Sequence, residues 1–234
     1  MKNCPIMQRM KSNYEDRFRF QLLRRTPVII RIDGKAFHTY TIGLEKPYDE
    51  GLRKDMADTA MFLCRNIQGA KLAYTQSDEI SLLITDFDDL ETQAWFDNNL
   101  QKIVSVSASL ATAKFNELRN IRYGFENNKH LAFFDARAFN LPKEEVSNYF
   151  LARQKDAVKN SIALLGQSLY STAELKNKNS NEVQEMCFQK GINWNDFDYS
   201  VKRGVTIMKV DGQWTFVETP LTFDYSFFKP FLNE

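Results

Sequence analysis

Cysteine is scarce in this chain and badly spaced for chemistry. Cys4, Cys64 and Cys187 form no C-x-x-C pair, which argues against a disulfide framework and points to reduced thiols in the cytoplasm. The two histidines, His38 and His130, lie far apart, so a His/Cys zinc centre is excluded too. No stretch approaches the roughly 18 uncharged apolar residues of a membrane helix. Residues 1–6 are not followed by the apolar core of a signal peptide. Neither G-x-x-x-x-G-K-[ST] nor G-x-G-x-x-G occurs, which sets aside P-loop and dinucleotide binding. An excess of one charge is also missing. Lys+Arg 31 against Asp+Glu 30 gives +1, so contact with RNA would have to come from local patches.

What is present reads as an ordinary globular chain. At 234 residues, 43% hydrophobic and 26% charged, it is long enough for one large core. Residues 7–25 pattern as an amphipathic helix, with Met10, Tyr14, Phe18 and Leu22 every fourth residue; Thr26-Pro27 stops it. The β-branched run at 28–32 predicts a first strand, followed by a loop to Lys46-Pro47 and a helix over 48–66. Strands are expected at 71–75 and 79–85, joined by a short turn with Asp78 at its tip. A second helix is expected over 90–118 and a fourth strand over 130–141. The order β-α-β-β-α-β is the ferredoxin-like unit, which also forms the palm of many polymerases and cyclases.

After Pro142 the pattern changes to helices over 143–171 and 172–190. A hairpin follows, with RGVTIMK and QWTFVE around Asp211-Gly212. The expected class is therefore α+β: a ferredoxin-like palm with an antiparallel sheet and helices on one face, over 1–141. A helical and hairpin extension over 142–234 packs on it as one continuous domain.

Two aspartates carry the chemistry. Asp33 ends the apolar run PVIIRI, and Asp78 sits between KLAY and ISLLI. Carboxylates at neighbouring strand tips suit Mg²⁺, which takes oxygen ligands and shares them with substrate phosphates. Two such ions can stabilise both the attacking and the leaving oxygen of phosphoryl transfer. A lone aspartate there is more often a turn or capping residue; the pairing is what lowers that alternative. The segment DGKAFH (Asp33, Gly34, Lys35, Ala36, Phe37, His38) can wrap a triphosphate with main-chain N–H groups, because Gly34 permits close approach. Ser77 can bind phosphate and Glu79 can support the metal site. Lys46 and Lys102 are the basic candidates if they point at the strand tips, and Arg137, in the fourth strand, needs a partner if buried.

The ordered set VIIRIDGKAFHTYT, LEKPYDE, AYTQSDEISLLI, FFDARAFNLP and YSVKRGVTIMK closely resembles the tRNA-histidine guanylyltransferase superfamily, over roughly residues 7–210. The resemblance implies a palm that adds nucleotides in the 3′-to-5′ direction. It implies two Mg²⁺ ions held by Asp33 and Asp78 with the backbone at Ile32 or Gly34. It also implies triphosphates (ATP, GTP or another NTP) bound by the DGKAFH segment, Lys46, Ser77 and Lys102. Glu79 falls on the third acidic position of the SDE motif. Arg31, Asp49, Arg137, Lys202 and Arg203 fall on positions associated with nucleotide or tRNA handling. In RQKDAVKNSIALLG, Arg153, Gln154, Asp156 and Asn160 fit the family's HINNLYN region, but Val158 replaces its histidine and Ser161 an asparagine. That departure fits the bacterial and archaeal-type like proteins, which repair 5′-truncated tRNA, rather than addition of guanylate to tRNA-histidine. The resemblance also implies a homotetramer. Two rivals remain at this stage. A palm-type nucleotide cyclase would need no RNA and no long extension, and a non-catalytic RNA-binding module would need stacking aromatics on its central strands.

Overall fold

The computed structural model describes residues 5–125, 130–217 and 219–234; the thiol of Cys4 lies outside them. In chain order the elements are α1 (Pro5–Met10), β1 (Val28–Gly34), α2 (Phe37–Tyr40), α3 (Glu50–Asn66), β2 (Ala70–Gln76), β3 (Glu79–Ile84), α4 (Leu100–Tyr123) and β4 (Phe134–Asn140). Then come α5 (Lys143–Leu169), α6 (Thr172–Leu175), α7 (Ser180–Gln189), α8 (Tyr199–Arg203), β5 (Val205–Val210), β6 (Gln213–Val217) and α9 (Tyr225–Phe228).

The six strands form one antiparallel sheet in the order β4-β1-β3-β2-β5-β6. The first four follow the ferredoxin-like order, and the C-terminal hairpin extends that sheet by pairing β5 with the free edge of β2. Alternation along each strand divides the apolar residues between two faces. Ile30, Ile32, Ile80 and Leu82 join the cluster under α3 and α4, built around Met56, Leu63, Ala111 and Phe115. Ile29, Leu72, Tyr74 and Leu83 join a second cluster with Val146 and Phe150 of α5 and with Phe223, Phe228 and Leu232. The palm helices therefore lie on one face, as expected, and the extension covers the other. This double cover is why β3 reads as the nearly unbroken apolar run EISLLI and is buried throughout.

The caps explain the helix boundaries. Asp49 accepts the Leu52 amide at 2.6 Å to start α3, and Asn99 accepts the Lys102 amide at 3.0 Å to start α4. The second palm helix thus begins at Leu100, ten residues later than its pattern predicts. Phe96, Asp97 and Asn98 take left-handed backbone before it, and Asp97 accepts hydrogen bonds from Gln21 and Arg24. The expected helix over 172–190 is split in two, because Ser171 and Asn179 each close a capping box with a glutamate. At the N-terminus the helical path ends at Phe18. Residues 20–23 run extended instead, tied by main-chain bonds from Leu22 to Asn98 and from Leu100 to Phe20. Met10, Tyr14 and Phe18 stay exposed, so their period of four finds no burying partner among the described residues.

One buried ionic group ties α3 to α4. Asp55 has no exposed surface, and it accepts from Arg122 at 2.7 Å and from Arg119 at 3.3 Å. Removing the carboxylate leaves guanidinium charge uncompensated in the interior. Asp55→Ala is therefore expected to lower unfolding free energy by about 3–5 kcal/mol, read by urea denaturation. A change within measurement error would show that the helices hold without the pair.

Candidate active site

At one end of the sheet, facing α5, register sets two rows of side chains across three strands. Asp33 of β1 stands between Asp135 of β4 and Glu79 of β3, and one pleat behind, Arg31 stands between Arg137 and Ser81. Like charges directly opposite repel. The attraction runs between the rows: Arg31 Nη2 lies 3.5 Å and Arg137 Nη2 3.8 Å from Asp33 Oδ2, and Arg137 Nη2 lies 3.6 Å from Asp135 Oδ1. Arg31 Nε is 3.8 Å from Glu79 Oε2. Arg153, reaching down from α5, contacts the same Glu79 oxygen at 3.2 Å and Asp156 at 2.7 Å.

The turn between β2 and β3 brings Asp78 to the same end. Ser77 holds φ +50°, and its hydroxyl donates to Asp78 Oδ1 at 3.0 Å. The Gly34 amide donates to the Asp78 carbonyl at 3.1 Å, which fastens the end of β1 to the tip of the hairpin. Burial pushes the Asp78 carboxyl above the usual aspartate range; the Ser77 bond opposes this and the Asp33 charge adds to it. Burial also raises Glu79, against the pull of Arg153 and Arg31. Among the described residues no cluster of three acidic, histidine or cysteine side chains is gathered for a metal. Two adjacent carboxylates are nevertheless what Mg²⁺ uses when phosphates and water complete its shell.

The loop after Asp33 is held by packing. A Cβ on Gly34 would sit 2.3 Å from the Phe37 ring, so only glycine fits. Phe37 is buried, with Phe134 at 5.1 Å and Tyr40 at 4.9 Å. Its side chain is thus a core anchor. Gly34 and Lys35 have already committed their amides, the latter to Phe133, which narrows the main-chain cradle expected of DGKAFH. Lys35, Ala36 and His38 are exposed. Beside the hairpin tip lies a cavity of about 210 Å³, whose walls include Leu44, Lys46, Tyr48, Asp49, Ser77 and Asn160.

Residues 7–142 match the family described as tRNAHis guanylyltransferase. The chain belongs to that family. The structure of a bacterial tRNA(His) guanylyltransferase-like protein in complex with ATP superposes with a TM-score of 0.92 at 47% identity, covering 98% of this chain and 100% of that one. A second such structure, in complex with GTP, gives 0.83 at 44% identity, covering 99% and 100%. A probable tRNA(His) guanylyltransferase of Dictyostelium discoideum is 28% identical over 86% of this chain and 82% of its own length. The chain is therefore a guanylyltransferase-like enzyme of the nucleotidyltransferase class, on the α+β fold its sequence indicates.

Other residues singled out for this family fall in different places. Asn160 is exposed on α5 and donates to Gln76 at 3.4 Å. Lys202 donates to the Asn195 carbonyl at 2.6 Å and lies over the Trp194 ring. Arg203 is exposed, and its carbonyl accepts from the Tyr74 hydroxyl. Lys102 is not brought to the tip. It starts α4, beside Phe96, at the end of the sheet where Leu23 binds Asn140. The other half of α4 is the part that meets the tip, through Thr112 to Phe134 and Arg119 over Tyr40. Val158, in the histidine's place, packs with Ile162, Cys187 and Trp194, off the helix face that carries Arg153 and Asn160.

Sequence reading passed over Asp135, Ser81 and Tyr149. Asp135 sits in FFDARAF two residues before Arg137, a period that puts both on one strand face. Ser81 is the one polar residue inside ISLLI, and that break in an apolar run is the signal that could have found it. The charge coupling at the tip has a direct test in metal-free protein. Asp33→Asn should lower the Asp78 carboxyl pKa, because it removes a like charge that favours the protonated form. Carboxyl NMR titration reads this; an unmoved Asp78 would mean that the two carboxylates do not sense each other.

Proposed function

We propose that this chain is a Mg²⁺-dependent 3′–5′ nucleotidyltransferase that repairs 5′-truncated tRNA in the cytoplasm, working as a homotetramer. One observation carries the reading: the Gly34 amide fastens the end of β1, with Asp33, to the Asp78 carbonyl beside a cavity lined by Lys46 and Ser77, in a chain of this family. Asp33, Asp78 and the main chain at Ile32 or Gly34 would hold two Mg²⁺ ions. When bound, these supply charge neutralisation at the phosphoryl oxygens.

The chain's own residues bind and orient. Lys46 and Ser77 stand at the mouth of the cavity, where they meet a triphosphate. The apolar walls from Leu44, Tyr48, Leu52 and Leu164 suit the flat face of a nucleobase. The solved relatives in complex with ATP and with GTP support this choice of ligand. Arg31, Arg137 and Arg153 form a cationic shelf behind the carboxylates and receive the 5′ phosphate of the RNA. Arg203 and Asn160 extend the polar surface toward the tRNA; Lys202 braces α8. A 5′-monophosphate is first joined to AMP from ATP, with loss of pyrophosphate. The 3′-hydroxyl of the incoming NTP then attacks that activated phosphorus, losing its proton as the new phosphodiester forms, and AMP leaves. Both stages depend on alignment and charge stabilisation. The exposed Met7, Tyr14, Phe18 and Phe20 of the N-terminal arm offer apolar surface for assembly.

Asp33→Ala and Asp78→Ala are each expected to abolish nucleotide addition with the circular dichroism of the native fold retained. Near-normal turnover in either would remove the two-metal assignment. Lys46→Ala should raise the KM for NTP and leave the melting temperature nearly unchanged, since exposed lysines add little to stability. Wild-type kinetics would return Lys46 to solvated surface.

Substrate choice is tested by comparing kcat/KM for a tRNA lacking its first nucleotide with that for intact tRNA-histidine, at matched salt. Repair is expected to be faster. Base pairing selects the NTP, and the protein needs only phosphate contacts to position the stem. A preference for intact tRNA-histidine would instead make guanylate addition the function.

A further inference from the structure

The polar chain behind Glu79 has a direction that its donors and acceptors fix. Ser81 Oγ donates its single proton to Glu79 Oε1 at 3.2 Å. Toward the Tyr149 hydroxyl, 2.8 Å away, it can then only accept, so Tyr149 is the donor. Glu79 Oε1 is held by the Ser81 hydroxyl, and Glu79 Oε2 is turned to Arg153 and Arg31. Ser81 has no exposed surface and lies in register with Arg31. A hydroxyl in an apolar strand costs free energy unless it is bonded. Tyr149 is pinned by edge-on rings of Phe139 and Phe150 at 5.8 and 5.2 Å, so its hydroxyl has little freedom to go elsewhere.

We propose that Ser81 and Tyr149 are positioning residues, which lock the rotation of the Glu79 carboxylate and so aim the Arg31 and Arg153 guanidiniums at the 5′ phosphate of the RNA. Glu79 itself is then the anchor of an arginine pair. The inference rests on the 5′-end reading given above. Without the hydroxyl chain the carboxylate turns freely, the two guanidiniums lose their common acceptor geometry, and phosphate recognition weakens. Neither Ser81 nor Tyr149 lines the cavity, which is left as it is.

The test uses the full chain with Ser81→Ala, Ser81→Thr and Tyr149→Phe. Equilibrium binding is measured for an acceptor-stem RNA with a 5′-monophosphate, for the same RNA with a 5′-hydroxyl, and for ATP; melting temperature is followed in parallel. The wild type is expected to prefer the phosphorylated RNA. Ser81→Ala and Tyr149→Phe should each lose about tenfold of that preference, the loss typical when an orienting partner is removed, with ATP binding unchanged. Ser81→Thr keeps the hydroxyl and should restore it. The proposal is overturned by a wild type without the preference, or by variants that keep it. RNA and ATP affinities that fall together with the melting temperature also overturn it, as does Ser81→Thr as impaired as Ser81→Ala. A wild type that shows the preference, loses it in the variants and yet incorporates no labelled nucleotide supports the positioning role and refutes the transferase reading alone.

Discussion

The alternation of an acidic row and a basic row at one end of the sheet is the constraint around which the rest is arranged. Antiparallel register forces Asp135, Asp33 and Glu79 side by side and Arg137 and Arg31 side by side. Each row alone is unfavourable, since like charges face each other across strands. Together they compensate along the strands, over contacts of 3.5 to 3.8 Å. These are long for ion pairs, and several of the partners are partly solvated, so their contribution to stability is small. Their consequence is electrostatic and local. The arginines neutralise the carboxylates only in part, and Asp78, raised by burial and by Asp33, is bonded by the Ser77 hydroxyl and its own backbone. The residual negative charge favours a divalent cation, and the arginine shelf favours the anion such a cation escorts.

That arrangement needs both faces of the sheet covered. With α3 and α4 on one side, Ile30 and Ile32 are buried and Arg31 and Asp33 are turned to the other. With α5 on that side, Ile29 and Leu83 are buried at the closed end, and Arg153 descends where the apolar packing stops. The extension therefore does two jobs with one helix. It completes the second core, and it delivers the guanidinium that anchors Glu79. Its hairpin, paired to β2, brings α8 and Gly204 against the wall of the cavity.

Much of this was legible in the sequence because it is local. β1 announces itself by its β-branched run and the other palm strands by short apolar stretches, Asp33 and Asp78 by their place where such stretches end, and the ferredoxin-like order by succession. What could not be read depends on contacts between distant segments. The delayed start of α4 follows from Asp97 being claimed by Gln21 and Arg24, residues that the period-of-four pattern had assigned to a helix. Lys102 is implied as a triphosphate ligand by the family resemblance, yet α4 runs past the sheet with its other end at the tip. Ser81 and Tyr149 were missed because a serine in an apolar strand and a tyrosine on an amphipathic helix are each unremarkable until register and packing put their hydroxyls 2.8 Å apart.

Val158 shows how far a substitution in a motif can be read. As letters, the missing histidine looks like a lost polar contact at the site. In the fold the position faces Ile162, Cys187 and Trp194, where an apolar side chain is the better fit and no hydroxyl or imidazole is left unpaired. Val158 lies in the packing of α5 against that cluster, off the helix face that carries Arg153. A chain of net charge +1 that concentrates arginines at one sheet end has a local site for phosphates and no charged track along which to read a duplex. On the repair function proposed above, choice of nucleotide comes from pairing with the opposite strand. That division of labour asks of the protein only that the 5′ phosphate, the triphosphate and the two carboxylates be held in line.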